Sequence, residues 1–415
     1  MTRSMTPAMS GGEKHREVDM RRLALPASFV FLTLLLTVAV ACTSDAAAPS
    51  PSGEDTAGDA GGSDTAKVTT AGPGKFIATD KMVDARGYHA AVRLADGRVM
   101  AIAGKSRGGA SAWKASSIEA TAIWDPVTGE WTDSAILATV REHPTGHLLL
   151  DGRVIVIGGS ALRQEPLVTS EVYDVAADTW TEVAPMSIGR WRHGSVMFPD
   201  GRIMVVAGET NDLVLVAEAE IYDPTTDTWT AAGALNEARA LHTATLLQDG
   251  RVIVIGGGKR DSPYIKTPEI WDPATNEWTQ GAPTQAAHSA HTATLLPDGR
   301  VLITGGKGKV TLTEVYDPET NIWTTLAPLS EWRAEHAAVL LADGRVMVSG
   351  GVGKVATTDI FDPATDTWTT GANMVETRYA HSMTLLDDGR VLVIGGNSTD
   401  GDQRGVTTEV EVWAP

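Results

Sequence analysis

Disulfide bonds cannot hold this protein together. The chain of 415 residues has one cysteine, Cys42, so a large hydrophobic core must do the work alone. Basic residues are outnumbered, 34 Lys and Arg against 52 Asp and Glu, for a formal charge of −18. That balance argues against a general nucleic-acid binder. Residues 43–74 almost lack large apolar side chains and are rich in Ala, Ser, Gly, Pro, Thr and Asp. Such a segment cannot bury enough surface to fold and reads as a flexible tether.

One stretch ahead of the tether is unlike the rest. Arg21 and Arg22 precede an uncharged run from Leu23 to Ala41, which ends in Ala39-Val40-Ala41-Cys42. A basic start, an apolar middle and small residues before the cut describe a secretory signal. With Cys42 next, the segment resembles a bacterial lipoprotein signal, in which that cysteine becomes the lipidated N-terminus. Ala39 departs from the Leu usual there. The alternative is a plain membrane anchor. Either reading puts the remainder outside the cytoplasm, and Met20 is a candidate start. The expected organisation is a signal over 1–42, a linker over 43–74 and one domain over 75–415.

What fills that domain is repetition. Asp-Gly-Arg followed by Val or Ile recurs at Asp96, Asp151, Asp200, Asp249, Asp298, Asp343 and Asp388, at spacings of 55, 49, 49, 49, 45 and 45 residues. A period of this size marks a repeat architecture. In the copy from Arg239 to Thr279, His242 to Leu247 mixes polar and apolar residues like a half-buried strand. Asp249-Gly250 suits a hairpin turn, because Gly takes positive φ at no steric cost. Val252 to Ile255 is β-branched throughout, as in a strand buried on both faces. Glu269-Ile270-Trp271 forms a third strand, ended by Asp272-Pro273, and Trp278 opens a fourth. Four antiparallel strands per repeat make a propeller blade.

These residues resemble the Kelch family: Gly-Gly after the second strand, an aromatic in the third (Trp124, Tyr173, Tyr222, Trp271, Tyr316, Phe361, Trp413) and a Trp in the fourth (Trp131, Trp180, Trp229, Trp278, Trp323, Trp368). The seventh unit stops inside its third strand. Phe76, Met82, Arg86 and His89 match Trp368, Met374, Arg378 and His381 at equal offsets. The expectation is therefore an all-β, seven-bladed Kelch-type propeller closed by an N-terminal strand at Phe76, which removes the open sheet edges.

In a Kelch-like blade the first strands open on one face, the top, and line the central channel. They begin Arg-x-x-His at Arg86, Arg190, Arg239, Arg333 and Arg378, with His288 and His291 in the fifth unit and Arg141 with Pro144 in the second. The plain interpretation is a set of polar ties between blades. The functional one is a ligand-facing ring. A metal site at His288 and His291 with His143 or His147 lacks supporting Asp, Glu or Cys in the sequence, so no metal and no cofactor is expected. Most Lys and Arg beyond Cys42 map to top loops, as do the aromatics that fall outside the repeat: Trp113, Trp191, Trp332, Tyr88, Tyr264 and Tyr379. Aromatic faces beside Arg suit a sugar ring or a peptide. The expected ligand-binding residues are Arg86, Tyr88, Trp113, Arg190, Trp191, Arg239, Trp332, Arg333, Arg378 and Tyr379.

Fold does not give function. The reading that fits best is a monomeric, lipid-anchored cell-envelope module that binds an envelope glycan or a secreted or surface protein through its top face. One alternative is a sugar-mutarotase type of enzyme, and another a structural envelope protein. Copper-radical chemistry of the galactose oxidase kind needs a Cys–Tyr crosslink, which Cys42 cannot supply from the signal.

Overall fold

The computed structural model describes residues 74–107, 115–161, 164–258, 264–353, 355–398 and 405–415. The signal, Cys42 and the linker lie outside them, as does Trp113. The domain of 75–415 is seven four-stranded antiparallel sheets. Blade four, for example, runs Thr243–Leu246, Val252–Ile255, Glu269–Asp272 and Glu277–Gln280. Every second strand is fully buried, as its β-branched and apolar side chains require.

The core lies between blades rather than within them. Met204, Val206 and Ile221 of blade three pack on Val252, Val254 and Trp271 of blade four, and six similar clusters fill the other junctions. The aromatic pairs stand in one register, with Tyr173 opposite Trp180 and Trp271 opposite Trp278. The fourth-strand indoles reach back to the preceding blade, as when Trp229 Nε1 donates to Ala184 O at 2.8 Å.

Closure follows the same register. Lys75–Ala78 is the outer strand of blade seven and pairs with Val410–Ala414, placing Phe76 opposite Trp413. Among the described residues the longest second and third strands belong to blade three, Ile203–Glu209 and Leu215–Asp223. The loop after the second strand of blade one begins and ends as a short pairing of Lys105–Arg107 with Ala115–Ser117.

Candidate functional site

The arginines that open the first strands are structural, which corrects the ligand-facing expectation for most of them. Arg86, Arg190, Arg239, Arg333 and Arg378 are at most 1% exposed. A charge buried so far needs a partner, and in five blades the third strand supplies it. Arg141 meets Glu171 at 2.6 Å, Arg190 meets Glu220 and Arg239 meets Glu269 at 2.7 Å, and Arg333 meets Asp359 at 2.8 Å. Arg378 pairs with Glu411. In blade five His288 takes the arginine's place, 2.9 Å from Glu314. Among the described residues, Arg86 alone of these openings has no carboxylate partner. Trp191 is 1% exposed and also belongs to the interior.

The histidines tie blades together. Nε2 of His193, His291 and His336 lies 3.0–3.1 Å from the hydroxyls of Thr145, Thr243 and Thr292 in the preceding blade, and that of His89 lies 2.9 Å from Ser382. Burial disfavours their charged forms and pushes His89, His193, His242 and His336 down to about 3. These ring histidines are therefore neutral at ordinary pH.

The residue just before each histidine, or before Pro144 in blade two, behaves differently. Tyr88, His143, Arg192, Leu241, Ala290, Glu335 and Ala380 occupy one equivalent position, and all seven have φ between 51° and 59°. Non-glycine residues adopt this left-handed conformation only where the surroundings impose it. Here a belt of backbone bonds does so. Tyr88 N donates to Ala380 O, His143 N to Tyr88 O, Leu241 N to Arg192 O, Ala290 N to Leu241 O, Glu335 N to Ala290 O and Ala380 N to Glu335 O, at 2.7–3.2 Å. One backbone shape thus recurs around the channel, carrying six kinds of side chain.

Those side chains converge. They line a recess of about 240 Å³ at the channel mouth, floored by the ring histidines. Tyr88 stacks on His143 with ring centroids 4.1 Å apart and donates its hydroxyl to Glu335 at 2.8 Å. Glu335 also holds Lys307 at 3.1 Å. Arg192 lies over the Trp191 ring and binds Glu209 at 3.1 Å. Burial, with Glu335 beside it, raises the Tyr88 phenol. Burial, with Arg192, Lys105 and Lys307 nearby, holds His143 well below the usual histidine range. Leu241, Ala290 and Ala380 leave the other side small and apolar.

Of the expected ligand residues that are described, only Tyr88 lines the recess. Tyr379 is half-buried beside it, 6.4 Å from Tyr88 edge to face. Trp332 is half-buried and does not line it. His143, Arg192 and Glu335 were missed as ligand residues. The signal in the repeat was partial: aligned on Arg-x-x-His, the second x alone carries both signs of charge, Arg192 and Glu335, while the first x varies as widely in size, from Gly87 to Trp191.

The family model described as Attractin/LZTR1 beta-propeller matches residues 154–360. No curated protein matches the chain. Among solved structures, a fungal alcohol oxidase of the AA5 family, in complex with copper, is similar at 20% identity and a TM-score of 0.65, over 83% of this chain and 77% of that one. With 950 solved chains matching, the likeness fixes architecture and leaves activity open. These findings and the blade register define the class: a β-propeller with seven blades. The chain is a Kelch-type propeller.

The copper of that relative finds no counterpart in these residues. Among the described residues no three His, Cys, Asp or Glu converge as a metal site, and four ring histidines already meet neighbouring hydroxyls through Nε2.

Proposed function

We propose that this propeller is a binding module whose ligand, a glycan or a peptide, seats on the top face over the ring recess. The observation that carries the reading is the ring of seven left-handed residues. Their backbone is uniform, their side chains are not, and they meet at one concave place. A concave site with a few polar groups and aromatic faces is the usual form of a recognition pocket. Proton transfer at a sugar carbon is less well served. A general acid or base works best with a pKa near the operating pH, whereas burial drives His143 far down and Tyr88 up.

The test is a screen of the full chain against glycan arrays and displayed peptides. Binding to any hit should weaken roughly tenfold or more when Tyr88, His143 and Arg192 are all changed to Ala. Hits that bind the triple variant equally well would place recognition elsewhere. We extend the proposal to location: the lipoprotein-like segment makes Cys42 the anchor that holds the module at the outer side of a membrane. An alkyne fatty acid fed to cells should label the protein, and Cys42→Ser should abolish the label; a labelled Cys42→Ser protein would reject the anchor.

A further inference from the structure

Blade one lacks a carboxylate that all six other blades possess. Ala122 stands at the third-strand register where the others have Glu171, Glu220, Glu269, Glu314, Asp359 and Glu411: each is opposite the equivalent residue of the second strand, Ala101 for Ala122 and Val156 for Glu171. In those blades the acid accepts from the first-strand Arg or His. In five of them it also accepts backbone N–H groups of the loop just ahead. Glu269 takes those of Asn236 and Glu237, Glu314 those of Gln285 and Ala286, and Glu411 those of Val375 and Glu376. These donors lie three and two residues before the Arg or His.

The donors are still present in blade one. Arg86 is 1% exposed. Its Nη1 donates to the carbonyls of Ala101, Ala103 and Ala120, and its Nε to that of Asp84. Its Nη2, the atom that meets the carboxylate elsewhere, has no partner among the described residues. Neither do the backbone N–H groups of Val83 and Asp84, which stand three and two residues before Arg86. Val83 is 73% exposed, so solvent reaches the loop. Asp84 and Asp133 lie within electrostatic reach of Arg86. They do not forbid an anion, because Glu237 and Glu182 stand in the same relation to Arg239 and Arg141, whose carboxylates are in place.

We propose that blade one binds an external carboxylate between Arg86 Nη2 and the N–H groups of Val83 and Asp84, in the place of the glutamate it lacks. This site is separate from the channel recess. Donors fixed in the geometry that the intramolecular acids of five other blades use are complementary to the same group arriving from outside. Ala122 already supplies the Cβ, and an unbonded ligand must stay a van der Waals distance from it. The slot therefore takes formate or acetate better than propionate. The same chemistry could come from a free small acid or from an aspartate side chain of a partner.

Thermal unfolding of the full chain tests this, with sodium formate, acetate or propionate compared with sodium chloride at equal ionic strength. Formate and acetate should raise Tm saturably, by roughly 2–5 °C, with half-saturation no tighter than about 1 mM for so small a ligand. Ala122→Glu supplies the acid internally; it should melt higher than the parent and lose the response. Arg86→Met should lose the response as well. A parent protein that answers formate no differently from chloride overturns the proposal, and so does an Ala122→Glu protein that keeps the full response. The peptide Gly-Gly-Asp-Gly-Gly, acetylated and amidated at its ends, separates the sources: half-saturation below that of acetate identifies a partner's side chain, and the reverse order a free acid.

Discussion

Each edge of the propeller uses arginine–carboxylate pairs, and the two edges use them to different ends. At the bottom, the Asp-Gly-Arg turn folds on itself. Asp249 Oδ1 accepts the backbone N–H of Arg251 at 3.0 Å, and its Oδ2 accepts Arg251 Nε at 2.7 Å. The pair is 31% and 48% exposed. At the top, Arg239 and Glu269 are both fully buried. The bottom pairs are screened by water and are each worth about 0–1 kcal/mol. The top pairs have lost their hydration, so neither member can be removed without stranding the other. The same two residue types thus make a solvated turn at one edge and an obligate tie at the other.

The sharpest way to break this contrast is to remove one buried acid. Glu269→Ala leaves the Arg239 guanidinium without its counter-charge and frees the N–H groups of Asn236 and Glu237. Urea unfolding should show a loss of about 3–5 kcal/mol. A loss under 1 kcal/mol would mean that water enters the top edge as freely as the bottom. Replacing both members, Arg239→Met with Glu269→Leu, should cost much less than the single change, because no charge is stranded. If the double variant is as unstable as Glu269→Ala, the missing N–H acceptor rather than the stranded charge is the reason.

The architecture could be read from the repeat because spacing and register are properties of sequence. Phe76 was placeable by its offsets to Met82, Arg86 and His89, and it pairs with Trp413. Burial is not a property of that kind. Arg190 and Arg251 look alike as letters, and nothing in one sequence says that the first is walled in by a blade and the second is wet. The ligand-facing expectation for Arg190, Arg239, Arg333 and Arg378 failed for that reason. Trp191 failed for a related one: its neighbour Arg192 carries the left-handed φ of 53°, so Arg192 lines the recess while the indole packs inward. That alternation depends on a backbone belt between blades distant in sequence. Tyr88 stands out in the sequence because it is aromatic; His143 reads there only as a candidate metal ligand, and Glu335 carries no mark of its own.

The smallest expected effect belongs to the most conspicuous motif. Arg251→Ala removes the exposed ion pair with Asp249 and one bond from Nη2 to Pro318 O in blade five, at 3.1 Å. It does not remove the turn. The bond from the residue-251 backbone N–H to Asp249 Oδ1 survives in any residue but proline, and Gly250 at a φ of 89° still supplies the left-handed position. The loss in urea unfolding should therefore stay below about 1 kcal/mol. Equivalent bonds join Arg300 to Pro363 and Arg390 to Pro126, so this link recurs between blades. A loss of more than 2 kcal/mol would show that the link, and not the turn, is what the repeated arginine serves. The bottom edge would then be a second set of inter-blade ties, and its contrast with the top would be one of degree.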